Sequence, residues 1–180
     1  MKFLIASDIH GSAYWCRQML KAFEAEQADR MILLGDLLYH GPRNDLPRDY
    51  APKEVTAMLN AHAADILAVR GNCDAEVDQM VLTFPIMADY AVMPVRERLL
   101  FITHGHLFNN ETLPPLKQGD ILLHGHTHVS VLEDHGTHVY MNPGSVSLPK
   151  PGHPHGYMTL EDGLFTWKDL EGGTLRTFEA

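Results

Sequence analysis

Cysteine is scarce in this chain: Cys16 and Cys73 are the only two among 180 residues. Two thiols cannot build a disulfide framework, and a single bridge between them is not expected in a reducing compartment. Long apolar runs are missing as well. Met1 to Ser7 carries one lysine and the short stretch Phe3 to Ala6, too brief for a signal-peptide core, and no segment approaches a membrane span. The expectation is a cytosolic (cytoplasmic) protein without a membrane partner. Basic residues are few, 14 Lys and Arg against 23 Asp and Glu for a net charge of -9, and they are scattered. Nucleic acids and acidic membranes bind clustered Lys and Arg, so both are expected to be poor partners. There is no internal repeat, low-complexity tract or linker, and the length suits one domain over 1–180 with a substantial core.

What the chain has in excess is histidine, 12 in all, and several stand where apolar runs end. The organising stretch is Met31-Ile32-Leu33-Leu34-Gly35-Asp36. Four aliphatic residues stopped by glycine predict a buried strand, with a turn that aims Asp36 into a cleft. Four further stretches pair a glycine with a metal-ligating residue beside an apolar run: Asp8-Ile9-His10-Gly11, Gly71-Asn72, His104-Gly105 and Gly125-His126-Thr127-His128.

In chain order, Lys2 to Ser7 predicts the first strand, leading into Asp8 and His10, which share a face if the segment stays extended. Ser12 suits the N-cap of a helix whose Trp15, Met19 and Phe23 recur every four residues, with Cys16 and Leu20 beside them as core residues. Leu37 to Ala51, broken by Pro42 and Pro47, predicts a long loop, a wall of the cleft from which His40 and Arg43 reach a substrate. Pro52 opens a second helix with Val55, Met58, Leu59 and His62 on one face. Ile66 to Val69 is the third strand. Alternating strands and helices imply a parallel sheet, with its ligands gathered at the carboxyl ends.

The second half reads as antiparallel. Tyr90 to Met93 and Leu99 to Thr103 form a hairpin, with Pro94 closing its first strand. Asp120 to Leu123 delivers His124 to His128. Val129 to Leu132 and His138 to Met141 flank a turn that leaves His135 and His138 exposed. Asn142 to Ser145 is a tight turn, and three closing strands lie within Tyr157 to Phe178. His153 and His155, among Pro and Gly, are expected to face solvent.

Seven candidate ligands result: Asp8, His10, Asp36, Asn72, His104, His126 and His128. Carboxylate, amide and imidazole donors without thiolates suit Mn, Fe, Co, Ni or Zn in a catalytic role, and they disfavour a structural zinc. Seven donors exceed what one catalytic ion with open positions needs. Two divalent ions about 3.5–4 Å apart and sharing a carboxylate would use them all, lower the pKa of a bridging water, and clamp both oxygens of an in-line displacement. The implied chemistry is phosphate-ester hydrolysis.

These five motifs, in this order, resemble the signature of the calcineurin-like metallophosphoesterases, and the likeness covers nearly the whole chain. The strings His40-Gly41-Pro42-Arg43-Asn44, Arg70-Gly71-Asn72-Cys73-Asp74, Thr103-His104-Gly105-His106 and Asn142 to Ser147 are similar to small bacterial phosphodiesterases of that family. The resemblance implies an α/β fold, an αββα sandwich of two mixed β-sheets flanked by helices. It also implies that Asp8, His10, Asp36 and His128 hold one ion while Asp36, Asn72, His104 and His126 hold the other. Mn is the leading candidate for both. The expected partner is a small phosphodiester, and a homo-oligomer is compatible with the sequence.

One position departs from the family. Many relatives follow Gly-Asn with a histidine that protonates the leaving group, whereas this chain has Cys73 and Asp74. Cys73 is either a packing residue or a proton donor, and Asp74 either a hydrogen-bond acceptor or a proton carrier. Arg70 and His106 either meet the phosphate or support those that do, and Arg70 has Asp74 as an alternative partner. The competing functions are a phosphomonoesterase or nuclease of the same superfamily, and a protein-binding scaffold like the retromer subunit of this fold.

Overall fold

A computed structural model describes all residues 1–180. Its first half alternates β1 (Lys2–Ala6), α1 (Ala13–Ala25), β2 (Arg30–Leu33), α2 (Pro52–Ala61) and β3 (Ile66–Ala68), followed by the one-turn α3 (Glu76–Gln79). The second half is β4 (Tyr90–Val95), β5 (Arg98–Thr103), β6 (Ile121–Leu123), β7 (Ser130–Asp134), β8 (Val139–Pro143), β9 (Gly156–Glu161), β10 (Leu164–Asp169) and β11 (Thr174–Glu179). The strands form two mixed sheets, one of order β11-β10-β9-β1-β2-β3 and one of order β4-β5-β6-β8-β7. The sandwich expected from the resemblance is therefore present.

Side-chain alternation explains the layering. Leu4, Ala6, Met31 and Leu33 enter one core with Cys16, Met19 and Phe23 of α1 and Val55 and Leu59 of α2. Their strand neighbours Ile5, Ile32 and Leu34 point the other way, into a second core shared with Leu100, Ile102, Ile121, Leu123 and Met141 of the opposite sheet. A strand buried on both faces has no polar alternation, which is why β1 and β2 read as continuous apolar runs. On the far face of the second sheet, Phe108 from the β5–β6 connection packs edge-on against Phe101 and Tyr90.

Ser12 caps α1 by accepting the Trp15 N–H at 3.3 Å. Trp15 itself is half-buried and stacks on His155, ring centroids 3.5 Å apart. His155 is thus not the solvent-facing residue expected from its Pro/Gly surroundings; its Nδ1 also donates to Val146 O at 2.9 Å. His138, expected to be exposed, is only 5% accessible. The β5–β6 connection folds over it and places Asn110 Oδ1 3.1 Å from its Nε2, while its neighbour His135 stays exposed. Pro94 does not close its strand: β4 continues to Val95, with Pro94 opposite Leu99. Because β4 is an edge strand, the missing N–H costs no ladder bond.

One ion cluster ties the end of α1 to the sheet. Glu26 accepts from Lys2 Nζ at 2.7 Å, from Tyr157 Oη at 2.9 Å and from Lys168 Nζ. Burial alone would raise its pKa, but Lys168, Lys2 and Tyr157 outweigh burial and draw it from 4.5 down to about 2. A carboxyl whose folded pKa is depressed contributes stability that is present above its unfolded pKa and is lost as pH falls through the folded one. Glu26→Gln is accordingly expected to cost about 1–3 kcal/mol at pH 7. The deficit should shrink steadily between pH 4.5 and 2, as checked by urea unfolding of both proteins; a deficit unchanged by pH would refute the assignment.

Candidate metal centre

The carboxyl ends of strands from both sheets meet at one point. Asp8 and His10 follow β1, Asp36 follows β2, Asn72 follows β3, His104 follows β5, and His126 and His128 follow β6. Backbone bonds fasten these loops together. Asp8 N donates to Gly35 O at 3.1 Å, His10 N to Asp36 O at 2.9 Å, and Gly125 N to His104 O at 2.9 Å. The two sheets are joined across the site by His126 N, which donates to Asp8 Oδ2 at 3.0 Å.

All seven sequence candidates converge there. Asp8 Oδ1 lies 3.2 Å from His128 Nε2 and 3.5 Å from His10 Nε2, and the two imidazole nitrogens are 3.2 Å apart. A second group centres on His104 Nε2, which is 3.1 Å from Asn72 Oδ1 and 3.2 Å from His126 Nδ1. Asp36 stands between the groups: its Oδ2 is 3.7 Å from His10 Nε2 and 3.5 Å from His104 Nε2. The Asp8 carboxylate also comes within reach of the second group, and Cys73 Sγ within reach of His10 and Asp36.

The backbone that achieves this is not the extended segment expected for Asp8 and His10. β1 ends at Ala6, and Asp8, His10, Asp36, His126 and His128 all have φ between +50° and +65°. Left-handed backbone is uncommon outside glycine and costs of order 1–3 kcal/mol per residue when it falls outside the favoured region. Five of the nine non-glycine residues with positive φ are candidate ligands, so this uncommon backbone is concentrated where side chains are aimed inward.

The donor set fits divalent cations. Three imidazoles have Nδ1 committed to backbone carbonyls: His10 to Tyr39 O at 2.8 Å, His104 to Leu34 O at 2.7 Å and His128 to Leu148 O at 2.6 Å. In its neutral form each of these rings carries its lone pair on Nε2, facing the centre. Lone pairs 3.2 Å apart beside two carboxylates repel one another, and Asp8 Oδ1 is buried with no hydrogen-bond partner. What such an arrangement lacks is positive charge. The same field appears in the acid–base balance: burial disfavours charged His104, but Asp36 and Asp8 more than compensate and raise its pKa to about 9. Asp8 is likewise held well below the usual carboxylate range, its burial overcome by His10, His128 and His104.

Supporting residues fix the carboxylates. Asp8 Oδ2 accepts Ser7 Oγ at 2.6 Å, and the Asp8 carbonyl accepts Ser145 Oγ at 2.9 Å and Ser147 Oγ at 3.0 Å. Asp36 Oδ1 accepts the Cys73 N–H at 2.8 Å, leaving Oδ2 free to face both groups. Asp74 is buried and takes three backbone N–H groups, from Asp36 at 2.8 Å, Leu37 at 2.9 Å and Gly71 at 2.7 Å. Asp74 therefore has no bond to Arg70, whose guanidinium pairs with Asp89 at 2.6 Å.

A polar cleft of about 390 Å³ opens onto the centre and is lined by Asp36, Asn72, His126 and His128 together with Arg43, Asn44, Thr127 and Lys150. Arg43 is thus where the loop reading put it. His40 is not: its ring packs edge-on against Tyr39 and Tyr50. His106 borders a second polar recess next to His126. Burial, and then the charges of His104, Arg70 and His126, lower its pKa to about 4, so the ring is neutral at physiological pH. Sequence reasoning missed Lys150 and Thr127 at the cleft and Ser7, Ser145 and Ser147 beneath Asp8. Ser7 adjoins the Asp8 motif, and Ser145 and Ser147 lie within a string that itself carries the resemblance, whereas nothing in the pattern marks Lys150.

Residues 1–162 match the calcineurin-like phosphoesterase superfamily domain, and the chain belongs to that superfamily. Within it, the chain is 49% identical over 166 residues to phosphodiesterase YfcE of Escherichia coli K12, an alignment covering 92% of this chain and 90% of that protein. The solved structure of the E. coli Yfce phosphoesterase superposes with a TM-score of 0.95 at 46% identity, covering 99% of each chain. Vacuolar Protein Sorting 29 from Cryptosporidium parvum shares the fold, with a TM-score of 0.62 at 18% identity over 99% of this chain and 98% of that one.

Proposed function

We propose that this chain is a phosphodiesterase that hydrolyses small phosphodiesters with two divalent ions, Mn²⁺ foremost, one among Asp8, His10, Asp36 and His128 and the other among Asp36, Asn72, His104 and His126. The observation that carries the reading is the position of Asp36 Oδ2, 3.7 Å from one imidazole nitrogen and 3.5 Å from the other, where a single carboxylate serves both groups. The ions would supply a water of lowered pKa and an electrophilic clamp for phosphoryl oxygens. The chain's own residues hold the ester: Arg43 and Lys150 bring positive charge to the cleft, and Thr127 and Asn44 bring hydrogen bonds. With Arg70 paired to Asp89, His106 is left as the nearby imidazole able to hydrogen-bond a phosphoryl oxygen.

No good proton donor stands beside the leaving group. Burial, and then the Asp36 charge, push the Cys73 thiol far above its ordinary range, so it keeps its proton too firmly to release it in the transition state. Esters with activated leaving groups should therefore be favoured. Reconstituted with Mn²⁺, the protein is expected to cleave bis(p-nitrophenyl) phosphate faster than p-nitrophenyl phosphate; a clear preference for the monoester would overturn the reading. Cys73→His should raise turnover of diesters with poor leaving groups by about 10-fold or more, since a placed general acid contributes about 10²–10⁴. Unchanged rates in a folded variant would remove the missing-acid argument.

A further inference from the structure

Beside the polar cleft lies a larger one of quite different chemistry. It has a volume of about 660 Å³, and its walls include Tyr39, Tyr50, Val77, Val81 and Cys73. Cys73 also lines the polar cleft that holds Asp36, Asn72, His126 and His128. Cys73 therefore stands between the two spaces, beside His10 and Asp36 of the candidate metal centre. Three of the walls are apolar groups left in water: Tyr39 is 42% exposed, Val77 63% and Val81 48%. Exposed apolar side chains clustered around a concavity mark binding surfaces, and this volume lies in the range of small-molecule sites, about 300–1,000 Å³.

We infer that the apolar cleft is the subsite for one ester arm of the substrate, and that this arm is an aryl or alkyl group rather than a sugar or a charged group. The inference rests on the phosphodiesterase reading, which it deepens by naming the substrate class. A phosphodiester anchored at the metal centre directs its two arms away from phosphorus on different sides. The side past Arg43 and Lys150 offers charge and hydrogen bonds, which suit a polar arm or the phosphoryl oxygens. On the side past Cys73 the lining is mostly hydrocarbon and aromatic ring, with Lys53, Thr56 and Asp78 as the few polar members, so it returns little to a hydroxylated arm for the water it loses. Sequestering about 100 Å² of apolar surface there corresponds to roughly 10- to 100-fold in affinity.

The test uses methyl, hexyl and phenyl phosphonate, non-hydrolysable anions that carry one arm each, titrated calorimetrically into the Mn²⁺-loaded protein. Hexyl and phenyl phosphonate are expected to bind at least 10-fold more tightly than methyl phosphonate. In the double variant Val77→Ser with Val81→Ser, both on the solvent-facing wall, that ratio should fall toward one, with the thermal midpoint confirming that the variant is folded. Equal affinity for all three in the native protein, or a ratio unchanged in the variant, overturns the subsite and leaves the phosphodiesterase reading standing. If none of the phosphonates binds and bis(p-nitrophenyl) phosphate is not cleaved, both readings fall.

Discussion

Asp36→Asn is expected to reduce ester cleavage by about 10³-fold or more and to halve the manganese bound at saturation, while leaving the metal-free protein folded with only a modest loss of stability. The magnitude follows from what the side chain is placed to do. Removing one group that stabilises developing charge in a dry site typically costs about 10²–10³ in turnover, and here the same oxygen faces both ligand groups, so one substitution removes a donor from each. Asparagine keeps the Oδ1 that accepts the Cys73 N–H at 2.8 Å, and the loop geometry should survive. It puts a neutral amide where Oδ2 faced His10 and His104, and an amide cannot serve two cations as a carboxylate does. The stability half of the prediction separates a functional loss from a folding loss. Without metal, burial and the Asp8 charge work to raise the Asp36 pKa, but the contact with His104 outweighs them and lowers it, so neutralising residue 36 gives up a net favourable interaction and a modest loss of stability is expected. The checks are metal analysis after dialysis, steady-state rates and thermal unfolding on the same preparations. Two ions per chain with cleavage within tenfold of native would show that Asp36 is not shared.

The sequence made the strand ends legible and left their geometry hidden. Runs such as Met31 to Leu34 announce strands buried on both faces, and the gathering of Asp8, His10, Asp36 and Asn72 at carboxyl ends follows from the parallel strands expected of the first half. Against the antiparallel expectation for the second half, β5, β6 and β8 also run parallel, which brings His104, His126 and His128 to the same edge. The left-handed backbone at Asp8, His10, Asp36, His126 and His128 leaves no trace in a hydrophobic pattern; Asp and His merely tolerate that region better than most residues. Long-range pairing was hidden for a related reason. β9 returns from the far end of the chain to pair antiparallel with β1, a choice that depends on which apolar edges remain open after both sheets have formed. His138 and His155 were misjudged because local turn composition says nothing about which distant segment will cover a residue: Asn110 lies 28 positions from His138, and Trp15 belongs to α1 at the other end of the chain. Lys150 was overlooked because a lone lysine among prolines has no pattern at all.

Gly71→Ala should be as damaging as loss of a ligand, although it removes none. A Cβ built on Gly71 would stand 2.1 Å from Asp36 Oδ1 and 2.3 Å from Asp36 N, and one on Gly35 would stand 2.4 Å from Gly71 N. The turns after β2 and β3 therefore touch backbone to backbone, with no room for a methyl group on either. Asp74 clasps the contact through Gly71, Asp36 and Leu37, and Cys73 N holds Asp36 Oδ1. A methyl at position 71 must push the turns apart by more than an ångström, which strains or breaks these four bonds together and swings Asp36 away from His10 and His104. Overpacking costs typically about 1–3 kcal/mol, and each buried hydrogen bond left unmade about 1–3 more, so a loss of about 3–5 kcal/mol is expected. Turnover should fall by about 10²-fold or more in the molecules that remain folded, because an ångström of misplacement at a catalytic group has that effect. Asp74→Asn provides the comparison, since it adds no bulk and keeps one acceptor oxygen. It should be milder in both respects. Urea unfolding and manganese-supported cleavage of the two variants decide the matter: if Gly71→Ala matches the native protein in both, the touching turns are not what holds Asp36 in place, and the clasp by Asp74 must suffice alone.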